Sequence, residues 1–298
     1  MQQRYPNFKS SVASRLFGAF ASKEFPRAIQ HTINHTYTRM MRLDLREFDE
    51  ATSYKSLNAL FTRSFKQKRL FNIHNETLIS PCDSLVSAYG KIQESLALQI
   101  KGMQYDVKNL LGDYISKASK SRLEGGMFVN FYLSPSDYHR YHTPIDMRIA
   151  KAVHIPGKLY PVNFTWLRKV PSLFIENERV VLECYTKDDK LFYMIFVGAL
   201  NVGKMAFHFD KNIQTNAKAS LQQAYSYDNL EVKKGDELGL FEMGSTIVML
   251  FEKDSVSLEL NSMAQVKFGQ PIGGLLNVRA HADCITETNV QGDDASLC

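Results

Sequence analysis

Apolar and polar positions change their rhythm once along this chain of 298 residues. From residue 1 to about 70 the apolar positions recur at helical intervals: Val12, Leu16, Phe17 and Phe20 in "SVASRLFGAFA", Phe25, Ile29 and Ile33 in "FPRAIQHTI", and Leu57, Leu60, Phe61 and Phe65 in "SLNALFTRSF". Beyond residue 71 the apolar stretches are rich in branched and aromatic residues and are bounded by turn formers. These are "MFVNFYL", "RVVLECYT", "LFYMIFVGALNVG", "KMAFHFD", "STIVMLFE" and "VSLEL". The pattern predicts an α+β protein, with N-terminal amphipathic helices followed by a mainly antiparallel β core. A helix is expected over residues 108–123, "KNLLGDYISKASKSRL", and "KKGDELGLF" reads as a tight turn into a short strand, with Gly235 and Gly239 supplying backbone freedom. Three regions follow: a helical region at 1–70, a β-rich domain at 71–280, and a polar, acidic tail at 281–298.

Charge sharpens this division. Residues 1–70 carry 13 Lys and Arg against 5 Asp and Glu, although the whole chain has a formal charge of only +5. A basic field attracts anionic lipid and nucleic acid alike, but amphipathic helices with cationic flanks suit a membrane interface, so lipid is the expected partner and nucleic acid is not. Packing of the same faces onto the protein's own core is the plainer alternative. No run approaches the roughly 18 consecutive apolar residues needed to span a bilayer, and no convincing signal peptide opens the chain. Cys82, Cys184, Cys284 and Cys298 are scattered without metal spacing or a disulfide framework, which points to a reducing compartment.

Candidate chemistry lies in three places. "YLSPSDYHRYHTP" packs Asp137, His139, Arg140 and His142 into a loop after a strand. Two close histidines suit a metal, but there is no H-E-x-x-H helix and no third ligand at an expected interval, so no metal is expected. Either histidine suits a catalytic base. Asp83, in "ISPCDSLVSAYGKI", caps a turn or orients an imidazole. Gly244-Ser245, at the mouth of "STIVMLFE", is a bulge or a nucleophile.

These segments, together with "IPGKLYPVN" at 155–163 and "NERVVL" at 177–182, occur in an order that resembles the bacterial phosphatidylserine decarboxylases, from about residue 10 to residue 273. The resemblance implies an inactive precursor that cuts itself between Gly244 and Ser245, giving a large β chain (1–244) and a small α chain (245–298) that stay associated. It implies a pyruvoyl group made from Ser245 by serinolysis, a self-cleavage triad of Asp83, His142 and Ser245, and His139 as the proton donor in decarboxylation. The substrate implied is phosphatidylserine, bound through a Schiff base and converted to phosphatidylethanolamine by a peripheral enzyme on the cytoplasmic face of the cell membrane, with a homodimer of processed units as one expected assembly. Two departures stand out: Cys82-Asp83-Ser84 where the family commonly has Ala-Asp-Gly, and Lys158 where an acidic residue is frequent. The rival readings are a membrane-associated serine hydrolase acting on lipid esters, which would lack the G-x-S-x-G elbow, and a non-enzymatic membrane-binding β module.

Overall fold

The two longest apolar runs of the β region lie side by side in the middle of one sheet. In the computed structural model, which describes residues 17–100, 103–200, 204–215, 221–242 and 245–276, eight strands pair in the spatial order Gln223–Val232, Met147–Ile155, Arg179–Thr186, Leu191–Val197, Ser245–Phe251, Met127–Leu133, Ser84–Lys91 and Gln265–Val266. Each adjacent pair is antiparallel. Leu191–Val197 and Ser245–Phe251 are buried at every position. Both faces of those strands are therefore covered, which is why they read as unbroken apolar runs rather than as an alternation. Each fully buried aliphatic or aromatic side chain there contributes about 1.5–3 kcal/mol. At the far edge, Gln223–Val232 exposes most of its side chains and reads as polar.

A small sheet sits against the large one. It pairs Met205–Phe207 with Glu237–Phe241 and Glu237–Phe241 with Arg140–His142. Tyr141 joins it to the main sheet, with its ring centroid 4.3 Å from that of Phe196 and 4.8 Å from that of Phe241. The turn expected at "KKGDELGLF" forms before Glu237–Phe241. Gly235 has φ +84°, and a Cβ there would lie 2.1 Å from the Phe71 ring, so both backbone and space demand glycine.

The helix expected over 108–123 is two short pieces, Val107–Leu111 and Lys117–Ser121, capped by the side chains of Asp106 and Ser116. Gly112 separates them at φ +74°, where a Cβ would fall 2.4 Å from Ile155 Cδ1. Close packing on the sheet, together with a left-handed residue, overrides the helical periodicity.

In the N-terminal region residues 17–22 are helical, Arg27–Met41 forms a 15-residue helix and Leu57–Phe61 a short one. They share a small apolar cluster of Ala21, Tyr37, Leu43, Leu57, Leu60 and Phe61. The long helix does not bury the stripe that its sequence suggested. It turns Gln30, Asn34 and Tyr37 inward, and Asn34 Nδ2 donates to the Ala51 and Tyr54 carbonyls at 2.9 and 2.8 Å. Ile29 is left 51% exposed and Met40 66% exposed. No described helix is long and apolar enough to cross a membrane. Val12, Leu16, Gly244, Cys284, Cys298 and the tail at 281–298 lie outside the described residues.

Candidate active site

Ser245 is the first residue of the central strand, in register with Leu133 of Met127–Leu133. Its side chain is fully buried, and its hydroxyl has no hydrogen-bond partner among the described residues. A buried hydroxyl left unmatched costs about 1–3 kcal/mol, and Thr246 Oγ1 and Ser84 Oγ are likewise buried without a partner among the described residues.

Leu133 leads into the histidine loop. Asp137 closes its first turn, accepting the Ser134 N–H at 2.7 Å, and the Asp137 N–H donates to the Ser134 carbonyl at 2.9 Å. Burial raises the Asp137 pKa. The loop then brings His139 to the small sheet, where its carbonyl accepts the Phe241 N–H at 2.9 Å. Strand pairing thus sets Ser245 opposite Leu133, the residue that leads into the histidine loop, and His139 beside Phe241.

The His139 ring is fully buried, with its Nδ1 2.9 Å from the Asp137 carbonyl. A carbonyl only accepts, so Nδ1 carries the proton and Nε2 keeps a lone pair. That Nε2 has no partner among the described residues. Phe61 lies against the ring, at 4.0 Å between centroids. Burial foremost, opposed by the Asp137 carbonyl and aided by the nearby Arg63 charge, lowers the His139 pKa from the ordinary 6.5 to about 3. The imidazole is neutral at neutral pH.

His142 is engaged at both nitrogens. Nδ1 donates to the Gly235 carbonyl at 3.1 Å, and Nε2, 3.0 Å from Tyr138 Oη, accepts the phenol proton. Burial brings its pKa down to about 4. Its backbone N–H donates to the Pro81 carbonyl at 2.8 Å, which anchors it beside the Asp83 segment. No direct hydrogen bond joins His142 to Asp83. Instead the Asp83 carboxylate accepts from the Arg69 guanidinium and, at 2.8 Å, from the Phe268 N–H. The Phe268 ring stacks on His142 at 3.7 Å and 15°. Asp83 and His142 therefore meet through Phe268, with Ser245 and His139 on the adjoining stretch of the same end.

The departures at 82 and 84 have local explanations. Cys82 is fully buried, and burial raises its thiol pKa, so it stays protonated and inert beside the carboxylate. Ser84 opens the strand Ser84–Lys91 and is not among the left-handed residues, so a glycine is not needed there. Lys158 pairs with Glu176 at 2.9 Å and lies over the Tyr160 ring. The motifs containing Lys158 and Asn177 support one structure. Asn177 Nδ2 donates to the Tyr160 and Gly198 carbonyls at 2.8 Å each, and its Oδ1 accepts the Tyr160 N–H at 2.9 Å. The loop so fastened supplies Pro161 and Val162 to an apolar cavity of about 440 Å³. Tyr37, Phe61, Leu133 and Leu200 also line it. It thus touches both the residue opposite Ser245 and the ring beneath His139.

Sequence reasoning missed Tyr138, Phe268, Arg63 and Arg69, and read Gly235 only as a turn residue, not as the acceptor for His142. Tyr138 lies inside the histidine motif and was within reach of inspection. The others are brought to the site only by tertiary packing.

Comparison with known proteins gives the chain a family. A phosphatidylserine decarboxylase family model matches residues 57–274. A phosphatidylserine decarboxylase proenzyme of Helicobacter pylori (strain Shi470) is 50% identical over 265 residues, covering 89% of this chain and 97% of the relative. Its counterpart in Campylobacter jejuni is 44% identical over 268 residues, covering 88% and 98%. Another, from Shewanella putrefaciens, is 36% identical over 277 residues, covering 89% and 94%. With a matching model over most of its length and relatives of this identity aligned nearly end to end, the chain belongs to the phosphatidylserine decarboxylase family.

Proposed function

We propose that this protein is a self-processing decarboxylase that converts phosphatidylserine to phosphatidylethanolamine at a membrane surface. The observation that carries the reading is the Ser245 hydroxyl, buried and unpartnered at the start of the central strand. It supports attack by Ser245 Oγ on the preceding carbonyl carbon, with the peptide C–N bond giving way to an ester and a free amine. Elimination then breaks the Cβ–O bond, the chain ending at Gly244 leaves as a carboxylate, and loss of ammonia from residue 245 after hydration gives the pyruvoyl group.

Asp83, His142 and Ser245 are the residues proposed for self-cleavage. In the resting arrangement Tyr138 engages His142 Nε2, so the base must exchange that bond for one from the serine hydroxyl. Asp83 acts on the ring through Phe268, whose N–H it holds while the phenyl face steadies the imidazole.

The residues present suit a pyruvoyl group at position 245: a fully buried strand end, and no competing hydrogen bond to the residue 245 side chain among the described residues. Such a carbonyl supplies an electrophile for the substrate amine, through a Schiff base, and a sink for the electrons released as carbon dioxide leaves. His139 is the proposed proton donor to the former α-carbon. It has to collect that proton from the substrate side, because burial keeps it neutral beforehand.

The apolar cavity beside His139 and Leu133 suits the glycerol and upper acyl carbons of a lipid. The exposed Phe20, Ile29 and Met40 of the basic N-terminal region suit an interfacial position on an anionic bilayer.

The test is incubation of purified protein with phosphatidylserine vesicles, following carbon dioxide release. Addition of sodium cyanoborohydride should stop turnover and leave the lipid attached to the fragment that begins at residue 245. Release without a trappable adduct would rule out the carbonyl mechanism, and ester hydrolysis instead would favour the hydrolase.

A further inference from the structure

The carbonyl oxygen of Asp137 accepts two hydrogen bonds. One comes from His139 Nδ1 at 2.9 Å, the other from Arg63 Nη2 at 3.1 Å. The same Nη2 reaches the Ser136 carbonyl at 2.8 Å. Arg63 comes from the N-terminal helical region, just beyond the helix Leu57–Phe61 that places Phe61 against the His139 ring. Two consecutive residues of the loop and the imidazole itself are therefore gripped from one short segment.

Arg63 is only 2% exposed, and its guanidinium lies 4.6 Å from the Phe48 ring centroid. Its Nε and Nη1 meet no acceptor among the described residues. A buried guanidinium is among the costliest groups to desolvate, and simple tethering of a loop needs no charge. What the charge does locally is distinctive. It polarises the carbonyl that fixes His139 and opposes a second positive charge on the ring, and its one nitrogen Nη2 holds both the Ser136 and the Asp137 carbonyl.

We propose that Arg63 is a positioning residue for His139: by fixing the Ser136 and Asp137 carbonyls it holds the imidazole as the Nδ1–H tautomer, with Nε2 free to exchange a proton. The inference rests on the reading of His139 as the proton-transfer group of decarboxylation. It makes the helical region a working part of the active site in addition to a surface for lipid.

The experiment is nitrogen NMR of ¹⁵N-histidine-labelled full chain, with His139 identified by the signals lost in His139→Gln, alongside kcat and KM for decarboxylation. Wild-type His139 should show one protonated and one unprotonated ring nitrogen at neutral pH. In Arg63→Met the two nitrogens should average. kcat should then fall about tenfold to a hundredfold, within the share a positioned acid–base group supplies, with KM little changed. Arg63→Lys, which keeps the charge and serves if the Met variant fails to fold, should recover part of both signals. An unaltered tautomer and unaltered kcat in folded Arg63→Met, or in Arg63→Lys where the Met variant fails to fold, would overturn the proposal. A lost tautomer with unaltered kcat would support the hold on the ring and overturn the role of His139 in the chemistry.

Discussion

Phe268 lies flat on His142, with ring centroids 3.7 Å apart and planes 15° from parallel, while its own N–H is given to Asp83 at 2.8 Å. An apolar residue from a distant segment thus joins an acid to a base without a direct hydrogen bond between them. Phe268→Leu should keep the backbone contact and lose the stack. The expected result is slowed conversion of precursor to fragments on a gel time course, with a stability loss of only about 1–1.5 kcal/mol by denaturant unfolding. Unslowed conversion would show that the stack does not steady His142.

Arg69 holds Asp83 on one side and Glu47 on the other. The side chains of Arg69 and Asp83 are only 12% and 14% exposed, whereas Glu47 is 43% exposed. The Asp83 contact therefore carries most of the energy and is weakly screened. Arg69→Met should destabilise the chain by about 2–3 kcal/mol in urea, the range for a charged hydrogen bond lost from a poorly hydrated site. Glu47→Gln should change it by less than about 1 kcal/mol.

Both histidines predict how stability depends on acidity. Burial lowers His139 to about 3 and His142 to about 4, from an ordinary 6.5. Above pH 6.5 the folded and unfolded rings are alike neutral, and no difference arises. Below it the unfolded chain takes up protons that the folded chain refuses, so stability falls as pH drops toward 4, by at most about 1.4 kcal/mol per pH unit per ring. Asp137, raised by burial, works in the opposite direction. His139→Gln should therefore flatten the decline in urea midpoint between pH 6.5 and 4 relative to wild type. An unchanged slope would mean that the ring is solvated.

Ser245→Ala removes an unmatched buried hydroxyl and leaves the strand intact. Unlike most core substitutions it should leave stability equal or raise it by about 1 kcal/mol, while preventing fragmentation altogether. The check is denaturant unfolding of this variant against wild-type precursor, with gel analysis of each.

Much of the framework was legible in the chain. "STIVMLF" and "LFYMIFV" became buried central strands because continuous apolar runs of that length have few other fates. Ser245 opens its strand as the run suggests, whereas Arg140 and His142, expected in a loop, lie on the short strand Arg140–His142 because it pairs with Glu237–Phe241. The inward face of the helix Arg27–Met41 was not legible, because Gln30 and Asn34 are buried there by hydrogen bonding that no hydrophobic periodicity reports. Nor were the contacts of Asp83. In sequence Arg69 is one of several basic residues near the end of the helical region, and only folding selects it as the carboxylate's partner over His142. Arg63, between Phe61 and Phe65, gave no sign that its charge would be buried.

The measurement that bears most directly on self-processing is the intact mass of purified protein together with N-terminal sequencing of its smaller species. Two fragments are expected, residues 1–244 and residues 245–298, the second resistant to Edman degradation and matching serine converted to pyruvoyl. A single uncut chain that decarboxylates phosphatidylserine at full rate would contradict it.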